Sequence, residues 1–359
     1  MDRLVISLKS AGNVCNMGCV YCAENKKQCA NLEEKISLSE IQKLASLTEN
    51  YALNVVFHGG EPTLLKSDYY EAVMNIFYNR NKNVSFALQT NAYDLDANWI
   101  YFLKNNSRRL GLSVSIDGTK YMNYYRVTKN GEKNSFEKVY SNLKLLEMNN
   151  ISFGMICTIN NLSLGNEKEL FVFLQGFEKI RFVKLNPCFD KDGDIIPIWA
   201  ISPMQYSEFV KNFFDIYIRN IKIVKYQVEP ILSILKLNQR VESTFCNFSN
   251  IKCSNFICLY PGGIITACDN YNMMQLGNIN NIDNLEDIIS IRNYPIISNE
   301  IEGLLLQCKQ CSYYDKCMGG CLSIRLRYKE CDEYCLSMKD MICHIRGICE
   351  KIKNNRRKL

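Results

Sequence analysis

The chain has 359 residues, and 47% of them are apolar, which predicts one large domain with a smaller one, or two domains. The formal charge of +6 is too small a surplus to indicate a nucleic-acid partner. We find neither an apolar run of the about 18 residues that a membrane span needs nor the core of a signal peptide, so we expect a cytoplasmic protein with no membrane partner. The 18 cysteines fall below the roughly 8–10% of residues typical of disulfide scaffolds, and we expect them to serve metal or redox chemistry.

Six short and almost continuously apolar runs predict strands that are buried on both faces. Amphipathic stretches between them predict helices, and Ser67 is expected to cap the second one. The predicted strands are 3–9, 54–59, 84–90, 110–117, 152–159 and 180–186, and the predicted helices lie within 37–51, 67–80, 96–106 and 134–150. Alternating strands and helices favour parallel β/α units, here six instead of the eight of a closed barrel. We therefore predict an α/β fold with a partial (β/α)6 TIM-like barrel that is open on one side.

Three cysteines, Cys15, Cys19 and Cys22, follow the first predicted strand with the spacing C-x3-C-x2-C. Loops at the C-terminal ends of barrel strands usually carry the chemistry of such a fold. A structural zinc ion takes four protein ligands, whereas three thiolates fit a four-iron cluster with one iron left open for a reactant. Three zinc ligands completed by a distant cysteine, or three reduced spectators, are the alternatives.

From about residue 236 the chain becomes rich in cysteines and turn signals. Ten of the 18 cysteines fall between Cys246 and Cys335. A segment of this kind buries little apolar area and requires metal sites for stability. We predict a barrel domain over 1–235 and a cysteine-rich domain over 236–359.

The cysteine triplet, with the aromatic Tyr21 before its last member, resembles the signature of the radical S-adenosylmethionine (radical SAM) superfamily. The stretch FHGGEPTL at 57–64 resembles the family's GGEP motif, and LQTNA at 88–92 and SVSIDG at 113–118 also match. The resemblance implies a [4Fe-4S] cluster whose open iron binds SAM, and a 5′-deoxyadenosyl radical that abstracts hydrogen from the substrate. The residues expected near SAM are Tyr21, Gly59, Gly60, Glu61, Pro62, Ser115 and Arg126. Loop packing for Tyr21 and a surface salt bridge for Arg126 are the alternatives, and Asp117 is ranked lower as a turn residue.

The second half resembles the SPASM extension, in which cysteines hold two auxiliary [4Fe-4S] clusters. Its spacings are Cys253-x9-Gly263-x4-Cys268 and Cys308-x2-Cys311-x5-Cys317-x3-Cys321. The resemblance implies that the first cluster is held by Cys246, Cys253, Cys268 and Cys321, and the second by Cys308, Cys311, Cys317 and Cys335. Cys258 could replace Cys246, and Cys343 or Cys331 could replace Cys335. A pair of zinc ribbons is the alternative, because C-x2-C is also a zinc spacing.

SPASM-bearing members of the family mostly modify peptides or proteins. The resemblance thus implies a peptide-modifying oxidoreductase, with maturation of a ribosomal peptide (RiPP) through crosslink formation as the main reading. The alternative is an anaerobic sulfatase maturase, which oxidises Cys or Ser to formylglycine; Asp269 would be its base, although His58 stands where that group commonly has glutamine. A zinc-ribbon binding protein is a remote alternative. Expected partners are a peptide or protein substrate, an electron donor such as flavodoxin or ferredoxin, and a separate leader-peptide-binding protein.

Overall fold

The computed structural model describes the chain in eight segments that form two compact units. The described residues are 3–24, 35–131, 135–190, 195–249, 252–268, 275–286, 303–328 and 332–356. The first unit comprises Met1–Ile116, Tyr124–Met155 and Cys253–Ser298, and the second comprises Asp117–Asn123, Ile156–Lys252 and Asn299–Leu359. No helix within the described segments is long and apolar enough to cross a membrane.

The first unit is built on parallel strands, as their apolar runs predicted. Neighbouring strands pair in register, with Ile6 opposite Val55 and Val55 opposite Phe86, and these three side chains are buried. The strands are β1 (Arg3–Lys9), β2 (Ala52–His58), β3 (Val84–Thr90) and β4 (Leu110–Ser115), and the helices are α1 (Leu38–Leu47), α2 (Ser67–Arg80), α3 (Ala97–Asn105) and α4 (Ser135–Met148). The predicted α/β fold is confirmed, and these boundaries differ from the predicted ones by a few residues at most.

Side chains at the helix starts explain most of these boundaries. Ser37 caps α1 in a capping box with Glu40, and Asp96 caps α3 by accepting the Trp99 N–H. The predicted cap of α2 is wrong, because the helix begins at Ser67 itself and its N-cap, Lys66, makes no side-chain capping bond.

The second unit contains further strands and the C-terminal helices. Its longest described helix, α10 (Glu333–Arg356), packs along α6 (Pro203–Arg219). Lys211 Nζ lies 2.7 Å from Asp340 Oδ2, and His344 Nε2 lies 2.7 Å from Asp215 Oδ1. Residues 153–155 of strand β5 (Phe153–Ile159) belong to the first unit and its remaining residues to the second. Strand β6 (Ile180–Pro187) pairs in parallel with the short β7 (Gln227–Glu229). The elements are β5 (Phe153–Ile159), α5 (Glu167–Gln175), β6 (Ile180–Pro187), α6 (Pro203–Arg219), β7 (Gln227–Glu229), α7 (Ile231–Asn238), α8 (Tyr314–Cys317), α9 (Leu322–Arg327) and α10 (Glu333–Arg356), with a further helical segment at 303–309.

Three short strands from the cysteine-rich half extend the sheet of the first unit beyond β1. Strand β8 (Phe256–Leu259) pairs in parallel with β1, and β9 (Ile264–Thr266) and β10 (Gln275–Asn278) follow in antiparallel order. The turn expected at YPGG joins β8 to β9, with positive φ at Gly262 and Gly263. The β1 edge, which the six-strand prediction left without a neighbour, is therefore occupied by residues from beyond 235.

Candidate active site

The three-cysteine loop leaves β1 through a tight turn, and N–H groups donate to the sulfur of its first cysteine. The Cys22 N–H donates to the Cys19 carbonyl at 3.0 Å. Cys15 Sγ accepts the Met17 N–H at 3.3 Å and Asn91 Nδ2 at 3.6 Å. Burial raises the pKa of Cys15 to about 11, against the Met17 hydrogen bond, which lowers it. A bare thiolate is thus disfavoured here, and a cationic cluster that takes the sulfur would compensate its charge, so the donor set fits an iron–sulfur cluster.

The glycines of the GGEP loop are required because this loop lies directly against the cysteine loop. The Gly60 N–H donates to the Gly12 carbonyl at 2.9 Å, and the Glu61 N–H donates to the Val14 carbonyl at 2.8 Å. A Cβ at Gly60 would lie 1.9 Å from the Val14 oxygen, and one at Gly59, where φ is +124°, would lie 2.6 Å from the Gly12 oxygen. No side chain fits at either position, so the predicted close backbone approach is a packing requirement of the two loops.

Glu61 connects the GGEP loop to the loop after β3. Its carboxylate is buried and accepts the Thr63 N–H at 2.9 Å, the Thr90 hydroxyl at 2.6 Å and the Asn91 N–H at 2.6 Å. Burial raises the pKa of Glu61, and these hydrogen bonds act in the opposite direction. Because Asn91 also contacts Cys15 Sγ, Glu61 organises the cysteine environment through its neighbour. Pro62 begins a single helical turn just after it.

The segment around Arg126 runs alongside the cysteine loop. The Gly18 N–H donates to the Val127 carbonyl at 2.8 Å. Arg126 is 6% exposed and donates from Nη1 to the Tyr21 hydroxyl at 3.3 Å. This burial contradicts the alternative of a surface salt bridge for Arg126, and the structure brings both residues to the cysteine loop.

The end of β4 carries the remaining residue expected near SAM. Ser115 is half-buried at the C-terminal end of β4, the same end at which the cysteine and GGEP loops leave the parallel strands β1 and β2. Asp117 is fully buried, and its Oδ1 accepts the Thr158 N–H at 3.1 Å. Asp117 therefore has a structural role, which agrees with its lower ranking.

Sequence reasoning missed a buried charged cluster behind the cysteine loop. Lys9 is fully buried, and its Nζ lies 2.7 Å from Glu24 Oε1 and 2.8 Å from His58 Nδ1. The same Nζ is 5.9 Å from the centre of the Tyr260 ring. Since Glu24 follows Cys22 by two residues, this ion pair ties the end of the cysteine loop to the end of β1. The signal in the sequence was a lysine at the end of an apolar strand.

In the second unit, Cys308 lies in the helical segment 303–309, Cys311 follows that segment, and Cys317 ends α8 just before three residues of left-handed conformation. Gly319 lies between two of the sulfur atoms, because its N–H donates to Cys317 Sγ at 3.3 Å and a Cβ on it would lie 3.3 Å from Cys308 Sγ. Met318, Gly319 and Gly320 have φ values of 52°, 79° and 66°. This backbone curves around the thiols and directs an N–H at one of them, as expected of cluster ligands.

Helix α10 carries two candidates for the last ligand of this set. Cys335 and Cys343 are separated by about 12 Å along the helix axis, at 1.5 Å per residue. Only one of the two is therefore expected to bind the second cluster. Cys343 Sγ lies 2.8 Å from the hydroxyl of Tyr313, which lies two residues after Cys311. Cys343 thus contacts the segment that carries Cys311, whereas Cys335 as the last ligand of the second cluster stays a prediction. Cys331 lies outside the described residues.

The cysteines predicted to hold the first auxiliary cluster come from both units. Cys246 and Cys321 belong to the second unit, and Cys253 and Cys268 belong to the first. The alternative ligand Cys258 is fully buried in β8 and packs with Tyr260, Phe256 and Ile264, which is a core position. Asp269, the predicted base, lies outside the described residues. Within the described segments, no group of three or more His, Cys, Asp or Glu side chains is arranged to hold a single metal ion.

Comparison with known proteins shows that the cysteine and GGEP loops lie within a stretch that matches a known family. A family model described as the radical SAM superfamily matches residues 10–173. Residues 10–173 of this chain are therefore a radical SAM domain. A cysteine-type anaerobic sulfatase-maturating enzyme of Clostridium novyi is 27% identical over 89% of this chain and 88% of that protein. The radical SAM cyclopropyl synthase TigE of Paramaledivibacter caminithermalis is 23% identical over 95% of this chain and 73% of that protein.

The fold is also shared with solved structures over nearly the whole chain. A structure described as native anSMEcpe with bound AdoMet and the Cp18Cys peptide has a TM-score of 0.83 and 21% identity, covering 98% of this chain and 99% of that one. The likeness confirms the predicted partial barrel with its C-terminal domain. As a radical SAM enzyme, the protein uses a [4Fe-4S] cluster and SAM.

Proposed function

We propose that this radical SAM enzyme modifies a side chain of a peptide or protein substrate. The observation that carries the proposal is the junction of the three-cysteine loop with the GGEP loop through Gly60 and Glu61, at the C-terminal end of the strands. The likeness to the Clostridium novyi enzyme over 89% of the chain supports a substrate of this class. When bound, the cluster and SAM supply a 5′-deoxyadenosyl radical that removes a hydrogen atom from the substrate.

Residues of this chain are proposed to bind the cluster and SAM. Cys15, Cys19 and Cys22 are the proposed ligands of the SAM-binding cluster. Gly59, Gly60 and Pro62 form the loop that lies beside it, and Glu61 fixes that loop to Asn91. Tyr21, Ser115 and Arg126 are the proposed contacts of SAM.

The cysteine-rich half is proposed to hold two auxiliary [4Fe-4S] clusters. The residues assigned to them are Cys246, Cys253, Cys268 and Cys321 for the first, and Cys308, Cys311, Cys317 and Cys335 for the second, with Cys343 as the alternative to Cys335. The Gly319 N–H at Cys317 Sγ supports the second set. In this proposal, residues 1–235 form the barrel domain and residues 236–359 form the domain that holds the auxiliary clusters.

Two products are candidates, and each has its own support. Crosslink formation in a ribosomal peptide is supported by the likeness to TigE, a cyclopropyl synthase, over 95% of the chain. Oxidation of Cys or Ser to formylglycine is supported by the likeness to the sulfatase-maturating enzyme over 88% of that relative, and Asp269 is the proposed base. An external electron donor such as flavodoxin or ferredoxin is proposed for both, and a separate leader-peptide-binding protein for the first.

Mass spectrometry separates the two candidates. The anaerobically reconstituted enzyme is incubated with SAM, a reductant and two peptides: a sulfatase-derived peptide and the Cys- or Ser-rich peptide encoded nearest to the enzyme. A hydrazide-reactive aldehyde on the first peptide supports formylglycine formation. Loss of two hydrogens with linked fragments on the second supports crosslinking. Formation of 5′-deoxyadenosine that neither peptide accelerates, with both peptides unmodified, would contradict a peptide substrate.

A further inference from the structure

The buried guanidinium of Arg325 lies beside the sulfur of Cys308, which is assigned to the second auxiliary cluster. It lies on α9, one turn after Cys321, and its backbone N–H donates to the Cys321 carbonyl at 3.0 Å. The side chain is 7% exposed. From Nη1 it donates to Cys308 Sγ at 2.8 Å and to the Leu304 carbonyl at 3.1 Å.

The surroundings of this guanidinium single out the sulfur as its counter-charge. An arginine side chain is always protonated, and burying a cation is costly unless an anion and hydrogen bonds compensate it. Within the described part of the chain, the side-chain contacts of Arg325 are the Leu304 carbonyl and Cys308 Sγ, and no carboxylate is among them. Cys308 is itself 8% exposed. The pair is therefore charge-balanced when the Cys308 sulfur is anionic, as it is when it binds iron.

We propose that Arg325 is a positioning residue that raises the reduction potential of the second auxiliary cluster by donating a charge-assisted hydrogen bond to its ligand Cys308. The inference rests on the proposed ligation of that cluster by Cys308, and it is independent of the substrate. Reduction adds negative charge to a cluster, and hydrogen bonds to ligand sulfurs together with a nearby cation stabilise that charge. The guanidinium thus makes this cluster a better electron acceptor than it would be without Arg325.

The test measures potentials in a protein that has only the auxiliary clusters. A background variant with Cys15, Cys19 and Cys22 changed to Ala removes the SAM-binding cluster, so that the remaining signals come from the C-terminal half. In this background we compare Arg325→Gln, Arg325→Lys and a matched control, Arg327→Gln. Arg327 lies on the same helix, but it is exposed and donates to the Phe189 carbonyl at 2.7 Å instead of to a cysteine. Iron content and electron paramagnetic resonance during a redox titration are the readouts.

We expect Arg325→Gln to shift one auxiliary midpoint to a more negative potential and to leave the other near its parental value. Arg325→Lys, which keeps the charge without the planar fork, should shift it less, and Arg327→Gln should match the background protein. Equal midpoints in Arg325→Gln and Arg327→Gln, with full iron content in both, would refute the proposal.

Loss of iron in Arg325→Gln would also be informative, because mutation of a residue that orients a metal ligand typically lowers metal affinity by about 10–100-fold. Recovery of the iron in Arg325→Lys would support the role of the charge, whereas equal loss in both Arg325 variants would overturn it. A background protein without any auxiliary cluster would instead contradict the proposed ligation by Cys308, so the two failures are distinguishable.

Discussion

Replacing Lys9 with Met tests whether the buried ion pair stabilises the cysteine loop. Lys9 is fully buried and Glu24 is 7% exposed, so the variant removes the ammonium group that lies 2.7 Å from a carboxylate shielded from water. Removing one partner of a buried pair costs about 3–5 kcal/mol of unfolding free energy, whereas an exposed pair contributes about 0–1 kcal/mol. We expect Lys9→Met to lose several kcal/mol and to bind less iron at the first cysteine loop.

The assay is urea unfolding of the cluster-free chain, followed by circular dichroism, with iron analysis of the reconstituted protein. The matched control is Lys43→Met, because Lys43 is partly exposed and lies 3.5 Å from the fully exposed Asp283. A double variant, Lys9→Met with Glu24→Gln, should recover much of the loss, since it also removes the negative charge of the buried carboxylate. Equal stability of Lys9→Met and Lys43→Met would refute the reasoning.

Three further predictions concern the loops and the cysteines. Gly60→Ala should abolish SAM cleavage and lower iron content, because its Cβ would lie 1.9 Å from the Val14 carbonyl oxygen. Gly111→Ala, whose Cβ would lie 3.8 Å from the Phe86 carbonyl oxygen, should behave as the parent in the same 5′-deoxyadenosine assay. Cys335→Ser, which removes the proposed ligand, should lose more auxiliary-cluster iron than Cys343→Ser; the reverse order in iron analysis would favour Cys343, whose Sγ lies 2.8 Å from the Tyr313 hydroxyl. Cys258→Ala should keep its full iron content and lose only stability, as expected of a core residue, and a missing cluster in its spectrum would return Cys258 to the ligand set.

The parallel strands were predictable because each is buried on both faces and so has a continuous apolar run. The run at 84–90, VSFALQT, coincides with β3. Strands β8 and β9 were not predictable in this way, because runs of four and three residues are too short to show a period, and β8 contains the cysteine that sequence reasoning weighed as a ligand. Their place beside β1 depends on pairing over some 250 residues of chain, which no local pattern reveals.

The motif residues were predictable because their spacing is local, whereas the side chains that support them were not. Cys15, Gly60 and Glu61 stand in short motifs that can be read directly. Lys9 meets its partners 15 and 49 residues away, and Arg325 meets Cys308 across 17 residues. Such pairs can be recognised only when the fold brings the two side chains together. Their burial matters because it makes the loss of one partner costly in free energy.

The most direct test of the account compares the parent enzyme with the variant in which Cys15, Cys19 and Cys22 are all Ala. Both are reconstituted anaerobically, reduced, and assayed for SAM cleavage by 5′-deoxyadenosine release, with iron counted in the same samples. The account predicts that the variant loses one cluster's iron and all cleavage while it retains the auxiliary clusters. Undiminished 5′-deoxyadenosine release by the variant would contradict the assignment of this loop as the centre of the chemistry.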